Sequence, residues 1–252
     1  MSFISSVLSE EGVVTAFATV GIIMYLSNLA AKYLTGGRIH GSAIAVVSGI
    51  VLAYVGGHIS HGHKGIADLA AFSGFGLMGG GLFRDFSVTA TAFNIDIAQA
   101  KRAGWIGFIA LVLGTIVPFI VGVTVARAYG YTDPVTITTI AAGCVTYIVG
   151  GVTGGALGAA SPIIAIAVAI GVLKAILIMI ATPIVAPYIG LDNSRTAMAY
   201  GGMMGSISGV TAGLGAVNPR LIPYGALVCT FHTGFGCLVC PSILFLMVRA
   251  LG

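Results

Sequence analysis

The chain has 252 residues, of which 58% are hydrophobic and only 7% are charged, with a net charge of +4. Soluble domains carry about 25% charged residues, so this composition excludes a soluble enzyme, a nucleic-acid-binding protein and a disordered chain. The mean hydropathy of +1.08 predicts an all-α polytopic membrane protein, whose few basic residues orient the spans.

Hydrophobic segments follow one another along almost the whole chain. A spanning helix needs about 20 apolar residues. Eight segments are predicted to span or enter the membrane: 12–34, 39–57, 65–83, 103–129, 134–151, 162–187, 195–215 and 223–248. The stretch 84–102 is helix-like but too polar to face lipid, so we expect it to line a cavity or to lie at the membrane interface.

Glycine forms the second pattern, because many of the 38 glycines are adjacent. Adjacent glycines do not share one face of a helix, so close helix packing through small residues explains such runs poorly. Four segments are therefore predicted to be non-helical breaks near the middle of the membrane: 56–62, 76–82, 150–158 and 202–209. Membrane transport proteins place their binding sites at breaks of this kind.

Similar segments also recur along the sequence, which indicates an internal repeat. Residues 49–57 resemble 143–151, and residues 76–79 resemble 202–205. The two offsets differ by about one spanning helix, and segment 162–187 is the natural insertion. Residues 1–252 are thus predicted to form a single integral-membrane transport domain with repeats 39–129 and 134–248 and with 162–187 as an added span.

Lys174 lies near the middle of the apolar segment 162–187. Its ammonium would have to reach about 18 Å along the helix to leave the membrane, which is too far for the side chain to extend to the interface. Ionisable residues inside a membrane mark functional sites. Lys174 is predicted either to neutralise an anionic substrate or to pair with an acid, on this chain or on a partner subunit.

Other polar side chains follow the glycine segments. Hydroxyls and helix N-termini suit a carboxylate, whereas carboxylate, amide and unwound carbonyl oxygens suit Na⁺. The predicted substrate-binding residues are Arg84, Thr89, Thr91, Lys174, Ser208 and Thr211. The predicted cation-binding residues are Asp85, Asn94 and Asn218.

The sequence contains no nucleophile elbow, HExxH motif or phosphate-binding loop. The chain is therefore not expected to be an enzyme or to hold a cofactor, and no metal beyond a coupling Na⁺ is expected. His232 lies within the last span; a buried helix histidine is usually just hydrogen-bonded, and a role in substrate binding or proton coupling is the alternative.

Several motifs together resemble those of a known transporter family. They are Gly37-Arg38-Ile39-His40-Gly41-Ser42-Ala43-Ile44-Ala45, Gly65-Ile66-Ala67-Asp68, Gly76-Leu77-Met78-Gly79-Gly80, Arg84-Asp85-Phe86, Tyr147-Ile148-Val149-Gly150, Val210-Thr211-Ala212-Gly213-Leu214 and Pro223-Tyr224-Gly225-Ala226-Leu227. In these the chain resembles the MadM subunit family of the bacterial malonate transporter, from about residue 12 to 250.

The resemblance implies a function. It implies a multi-pass subunit of a heteromeric complex in the bacterial inner membrane that takes up malonate with a cation, Na⁺ rather than H⁺, and works with the small membrane subunit MadL. The alternative is a passive ion or solute channel subunit of a membrane complex. The site residues above rest on physical arguments and not on the resemblance.

Overall fold

The computed structural model describes residues 11–36, 41–61, 65–78 and 97–251. These residues are almost entirely helical, which confirms the all-α membrane class. Among them, four helices are long and apolar enough to cross a membrane: Gly12–Leu34, Gly104–Ala128, Pro162–Val185 and Pro219–Ala250. The chain forms two compact units, residues 1–90 and 91–252.

The first unit contains three helices and two short 3-10 turns among its described residues. They are α1 (Gly12–Leu34), α2 (Gly41–Ser60), the turns Gly65–Asp68 and Ala70–Phe72, and α3 (Gly74–Met78). The predicted span 65–83 therefore does not begin as one continuous helix. Its residues beyond Met78 lie outside the described part of the chain, as does most of the predicted break at 76–82.

The predicted break at 56–62 is wrong over most of its length, because α2 continues through Gly56 and Gly57 to Ser60. Gly56 serves helix packing instead: a Cβ at this position would lie 2.6 Å from the backbone of Ile66. The missing side chain lets the turn that begins at Gly65 approach α2 closely.

The second unit contains the remaining helices. They are α4 (Ile97–Ala128), α5 (Pro134–Val145), α6 (Tyr147–Leu157), α7 (Ser161–Val185), α8 (Ser194–Met204), α9 (Ile207–Val217), α10 (Ile222–Val239), a π-helical segment (Cys240–Leu244) and α11 (Phe245–Ala250). The predicted spans 103–129, 162–187 and 223–248 correspond to α4, to α7 and to the helix formed by α10 and α11.

Two of the predicted spans are discontinuous helices. The first broken helix consists of α5 and α6, of 12 and 11 residues, and it includes the predicted span 134–151. The second broken helix consists of α8 and α9, of 11 residues each, and it includes the predicted span 195–215. In each pair the second helix folds back towards the first, so neither pair is one straight membrane crossing: Gly150 lies against Gly143, Gly154 lies against Thr139, and Gly225 of α10 lies against both Ala197 of α8 and Leu214 of α9.

The glycines of α6 show why the predicted break at 150–158 is misplaced. The helix is continuous from Tyr147 to Leu157, and the chain leaves it only at Gly158. A Cβ at Gly150 would lie 2.8 Å from the Cα of Gly143, and one at Gly154 would lie 2.7 Å from Ile164. These glycines allow close packing of helices, and the actual break lies upstream, at Thr146.

Both broken helices begin with a side-chain cap. A carboxylate oxygen of Asp133 accepts hydrogen bonds from the backbone N–H of Thr136 at 2.9 Å and from its hydroxyl at 2.7 Å. Asn193 forms a reciprocal capping box with Thr196. These caps satisfy backbone N–H groups that have no partner within the helix, and they fix where each broken helix starts.

Replacing Asp133 by alanine should lower the stability of the protein by about 1 kcal/mol at neutral pH. The hydrogen bonds from Thr136 lower the pKa of Asp133, so the carboxylate stabilises the fold above its unfolded-state pKa. This contribution is lost as the pH falls through the folded-state pKa. Thermal unfolding of the purified protein at neutral and acidic pH measures both effects. Asp133→Asn keeps a capping side chain and should lose the pH dependence but little stability, and equal stability of Asp133→Ala and wild type would contradict the role of the cap.

Candidate functional site

The first broken helix is interrupted at a single residue. Helix α5 ends at Val145, Thr146 is extended (φ −164°, ψ 156°), and α6 starts at Tyr147. The ammonium of Lys174, on α7, donates a hydrogen bond to the carbonyl of Val145 at 2.7 Å. The last carbonyls of a helix have no partner within the helix, so Lys174 satisfies one of them at this break.

Helix α7 approaches this break through a glycine. A Cβ at Gly171 would overlap the backbone nitrogen of Tyr147, so only glycine allows such a close approach. Gly171 and Lys174 are three residues apart and lie on the same face of α7. The position of Gly171 therefore brings the ammonium of Lys174 to the carbonyl end of α5, where the helix dipole is negative.

The second broken helix is interrupted at Gly205 and Ser206. Gly205 has a left-handed backbone (φ 68°, ψ −4°), and the hydroxyl oxygen of Ser206 accepts a hydrogen bond from the N–H of Gly209 at 3.3 Å. Helix α9 begins at Ile207. The predicted break at 202–209 is confirmed only at Gly205 and Ser206, because residues 202–204 and 207–209 are helical, and glycine is required at position 205 by its positive φ angle.

His232, on α10, lies against the second break. A Cβ at Gly205 would overlap its imidazole ring. The ring is completely buried, at 0% exposure, and neither Nδ1 nor Nε2 has a hydrogen-bond partner with good geometry, although the backbone of Gly114 lies nearby. The sequence analysis treated His232 as most simply a hydrogen-bonded buried histidine, whereas its surroundings in the structure make it a functional candidate.

The two breaks have a matching sequence context. Gly151-Val152-Thr153-Gly154-Gly155 and Gly209-Val210-Thr211-Ala212-Gly213 share the pattern Gly-Val-Thr-x-Gly, and Lys174 and His232 are separated by the same 58 positions as these two segments. This repeat is the signal that could have identified His232 from the sequence. It differs from the repeat predicted above, which remains a prediction.

Helices α7 and α10 each contact both broken helices. On α7, Gly171 lies against the first break, and the carbonyl of Ala175 lies 3.0 Å from the position of a Cβ at Gly209, in the first turn of α9. On α10, His232 lies against the second break, and a Cβ at Gly236 would lie 2.8 Å from Val149 in α6. The two breaks therefore lie between these helices, and Lys174 is close enough to His232 for the two to interact electrostatically.

A cavity of about 620 Å³ leads to Lys174 along α7 and α8. Its wall is largely apolar, and Tyr200 and Thr196 contribute polar side chains. The hydroxyl of Tyr200 is hydrogen-bonded to that of Thr182 at 2.7 Å. The cavity also reaches Met204, the last residue before the second break, so it approaches both breaks from one side.

Among the other predicted site residues in the described part of the chain, Thr211 and Asn218 make local hydrogen bonds. The half-buried hydroxyl of Thr211 donates to the carbonyls of Ile207 at 2.8 Å and Ser208 at 3.3 Å. The side chain of Ser208 is half-buried in the first turn of α9. Asn218 follows α9, and its side-chain oxygen accepts from the N–H of Arg220 at 3.1 Å.

The remaining predicted site residues lie outside the described residues. They are Arg84, Asp85, Thr89, Thr91 and Asn94. Of the predicted set, the structure therefore places Lys174, Ser208 and Thr211 at or just after the two breaks, and Asn218 at the far end of α9.

Discontinuous helices that meet inside an apolar helical bundle, with ionisable side chains at the breaks, define the architecture of a membrane transport protein. A family model described as the malonate/sodium symporter MadM subunit matches residues 4–252. The chain belongs to the MadM family, and hence to a family of transporter subunits rather than of enzymes. No curated protein and no solved structure matches the chain.

Proposed function

We propose that the chain carries malonate across the bacterial cytoplasmic membrane together with Na⁺, and that it does so in a complex with the small membrane subunit MadL. The family supports a malonate/sodium symporter subunit. The observation that supports a binding site at the breaks is the hydrogen bond of Lys174 to the carbonyl of Val145, because it places a partly buried positive charge beside an unwound segment.

The chemistry of malonate matches this arrangement. Malonate is a dianion near neutral pH, and its transfer out of water requires compensating charge or hydrogen bonds. The ammonium of Lys174 has three N–H donors, of which one is used by Val145. The first N–H groups of α6 and α9 also lie at the breaks, at the positive ends of these helices. Together they provide donors for carboxylate oxygens.

Ser208 and Thr211 remain proposed substrate-binding residues, because both lie in the first turns of α9. Their hydroxyl oxygens can accept or donate in addition to the backbone bonds of Thr211. Arg84, Thr89 and Thr91 complete the proposed substrate-binding set. Asp85, Asn94 and Asn218 are the proposed cation ligands, and Asn218 lies about 18 Å along α9 from the break, so a cation there would occupy a separate position.

Uptake of labelled malonate into proteoliposomes tests the proposed function. The chain should accumulate malonate above its external concentration only when MadL and an inward Na⁺ gradient are both present. The same vesicles with an inward H⁺ gradient test the choice of cation. Equilibration that needs no gradient and never exceeds the external concentration would instead indicate a passive channel.

Replacing Thr211 by valine should weaken the apparent affinity for malonate or Na⁺ by about tenfold, since the loss of one hydrogen bond to a charged group costs about 1.5 kcal/mol or more. Valine keeps the shape of threonine and removes the hydroxyl. Transport kinetics at varied malonate and Na⁺ measure the effect, and Thr211→Ser, which keeps the hydroxyl, is the matched control. Unchanged affinities for both ions would show that the hydroxyl only bonds the preceding turn of its own helix.

A further inference from the structure

His232 presents an unusual combination of burial and missing hydrogen bonds. Its ring is 0% exposed, and neither ring nitrogen makes a hydrogen bond of good geometry with the described residues, although the backbone of Gly114 lies nearby. A neutral imidazole has one N–H donor and one acceptor nitrogen, and each buried polar group without a partner costs about 1–3 kcal/mol. Buried polar groups of this kind are rare in folded proteins and require a specific explanation.

The position of the ring suggests what its partner would be. The imidazole lies against Gly205, which directly precedes the capping residue Ser206 and the N-terminus of α9. Helix α9 has 11 residues, and its first N–H groups have no partner within the helix. The positive end of a helix dipole and an imidazole N–H therefore meet at one break, where both favour an anion.

Lys174 borders the same region from α7. The residue that follows it, Ala175, contacts the first turn of α9 at Gly209, and the ammonium lies within electrostatic range of His232. Lys174 and His232 also occupy equivalent positions relative to the two Gly-Val-Thr-x-Gly segments. Each broken helix is thus accompanied by one long helix that brings a nitrogen donor to its break.

We infer that His232 is a substrate-binding residue that holds one carboxylate of a small dicarboxylate at the second break, while Lys174 holds the other carboxylate at the first. This inference rests on the proposed function. A carboxylate accepts hydrogen bonds only, so it would pair with the N–H of the imidazole and with the free N–H groups of α9. Two donors at fixed positions select for a ligand with two carboxylates.

Calorimetric titration of the purified complex with malonate tests the role of His232. Removal of the donor in His232→Leu should weaken malonate binding at least tenfold, whereas His232→Gln, which keeps an N–H donor, should bind within about threefold of wild type. The matched control is Thr233→Val, because Thr233 is the next residue, is also buried (3% exposed) and donates its hydroxyl to Cys229. Thr233→Val should leave malonate affinity unchanged.

The outcomes separate this inference from the proposed function. Wild-type complex that neither binds nor accumulates malonate would overturn both. Wild-type complex that accumulates malonate, together with His232→Leu complex of unchanged affinity, would overturn the inference alone. If His232→Leu does not assemble, ¹⁵N-histidine spectra of the wild-type complex decide the question. The imidazole signals of His232 are identified as those missing from the spectrum of His232→Gln. Malonate should shift these signals, and unshifted signals would overturn the inference.

Discussion

Replacing Lys174 by methionine should abolish malonate accumulation while the protein still inserts into the membrane. Methionine keeps the length of the side chain and removes both the charge and the hydrogen bond to Val145. Loss of a charged hydrogen bond costs about 1.5–3 kcal/mol, and loss of the one lysine or arginine side chain that the described residues place at the breaks removes charge compensation for the dianion as well. We therefore expect uptake to fall by at least a hundredfold in proteoliposomes.

Two further measurements make this expectation specific. Lys32→Met is the matched control, because Lys32 is exposed in the last turn of α1, and its uptake should stay near wild type. Co-purification of MadL with Lys174→Met tests the alternative role of Lys174 at a subunit interface, where loss of one charge would leave the partner's charge unpaired and impair assembly. Normal assembly together with normal uptake would contradict any charge-compensating role for Lys174.

Replacing Gly205 by alanine should destabilise the protein by about 2–5 kcal/mol and eliminate transport. A left-handed backbone costs a non-glycine residue roughly 1–2 kcal/mol, and the added methyl group overlaps the ring of His232, which adds roughly 1–3 kcal/mol of overpacking. Thermal unfolding in detergent measures the loss. The outcome would show how tightly α8, α9 and α10 are fitted at the second break.

Gly190 provides the matched control for this substitution. It also has a positive φ angle, of 60°, but no atom lies within 4 Å of a Cβ at this position, so Gly190→Ala should show the backbone cost alone. The double variant Gly205→Ala with His232→Ala should recover part of the stability, because it removes the overlapping ring. Equal destabilisation by Gly205→Ala and Gly190→Ala would show that the contact with His232 is unimportant.

The long helices could be predicted from the sequence because their signal is local. Segments 12–34 and 162–187 are long, predominantly apolar stretches and correspond closely to α1 and α7. The break at Thr146 could not be predicted in the same way, because no glycine marks it. It is accompanied by the hydrogen bond that Lys174 donates to Val145, 29 residues earlier in the chain, which satisfies a carbonyl that the interrupted helix leaves free.

Glycine-rich segments have two structural uses that the sequence alone does not separate. At Gly205 the absence of a side chain allows a left-handed backbone, whereas at Gly150 and Gly56 it allows a neighbouring segment to approach. Lys174 could be identified from its position in an apolar span. His232 could have been identified only through the Gly-Val-Thr-x-Gly repeat that relates it to Lys174, because taken alone a buried helix histidine is unremarkable until its contact with Gly205 is known.

The second break is only two residues long, and this spacing affects how ions of opposite sign would share it. Its carbonyl end at Met204 attracts a cation, and its amide end at Ile207 attracts an anion. Unit charges held at the two ends would be roughly 7 Å apart and would attract each other by about 2 kcal/mol at an effective dielectric constant of about 20. By thermodynamic reciprocity, each ion would raise the affinity for the other by the same factor, roughly thirtyfold. Such coupling would favour the empty and doubly occupied forms over either singly occupied form when each ion is present below its own dissociation constant but above about a thirtieth of it, and these are the forms that cotransport of the two ions would use.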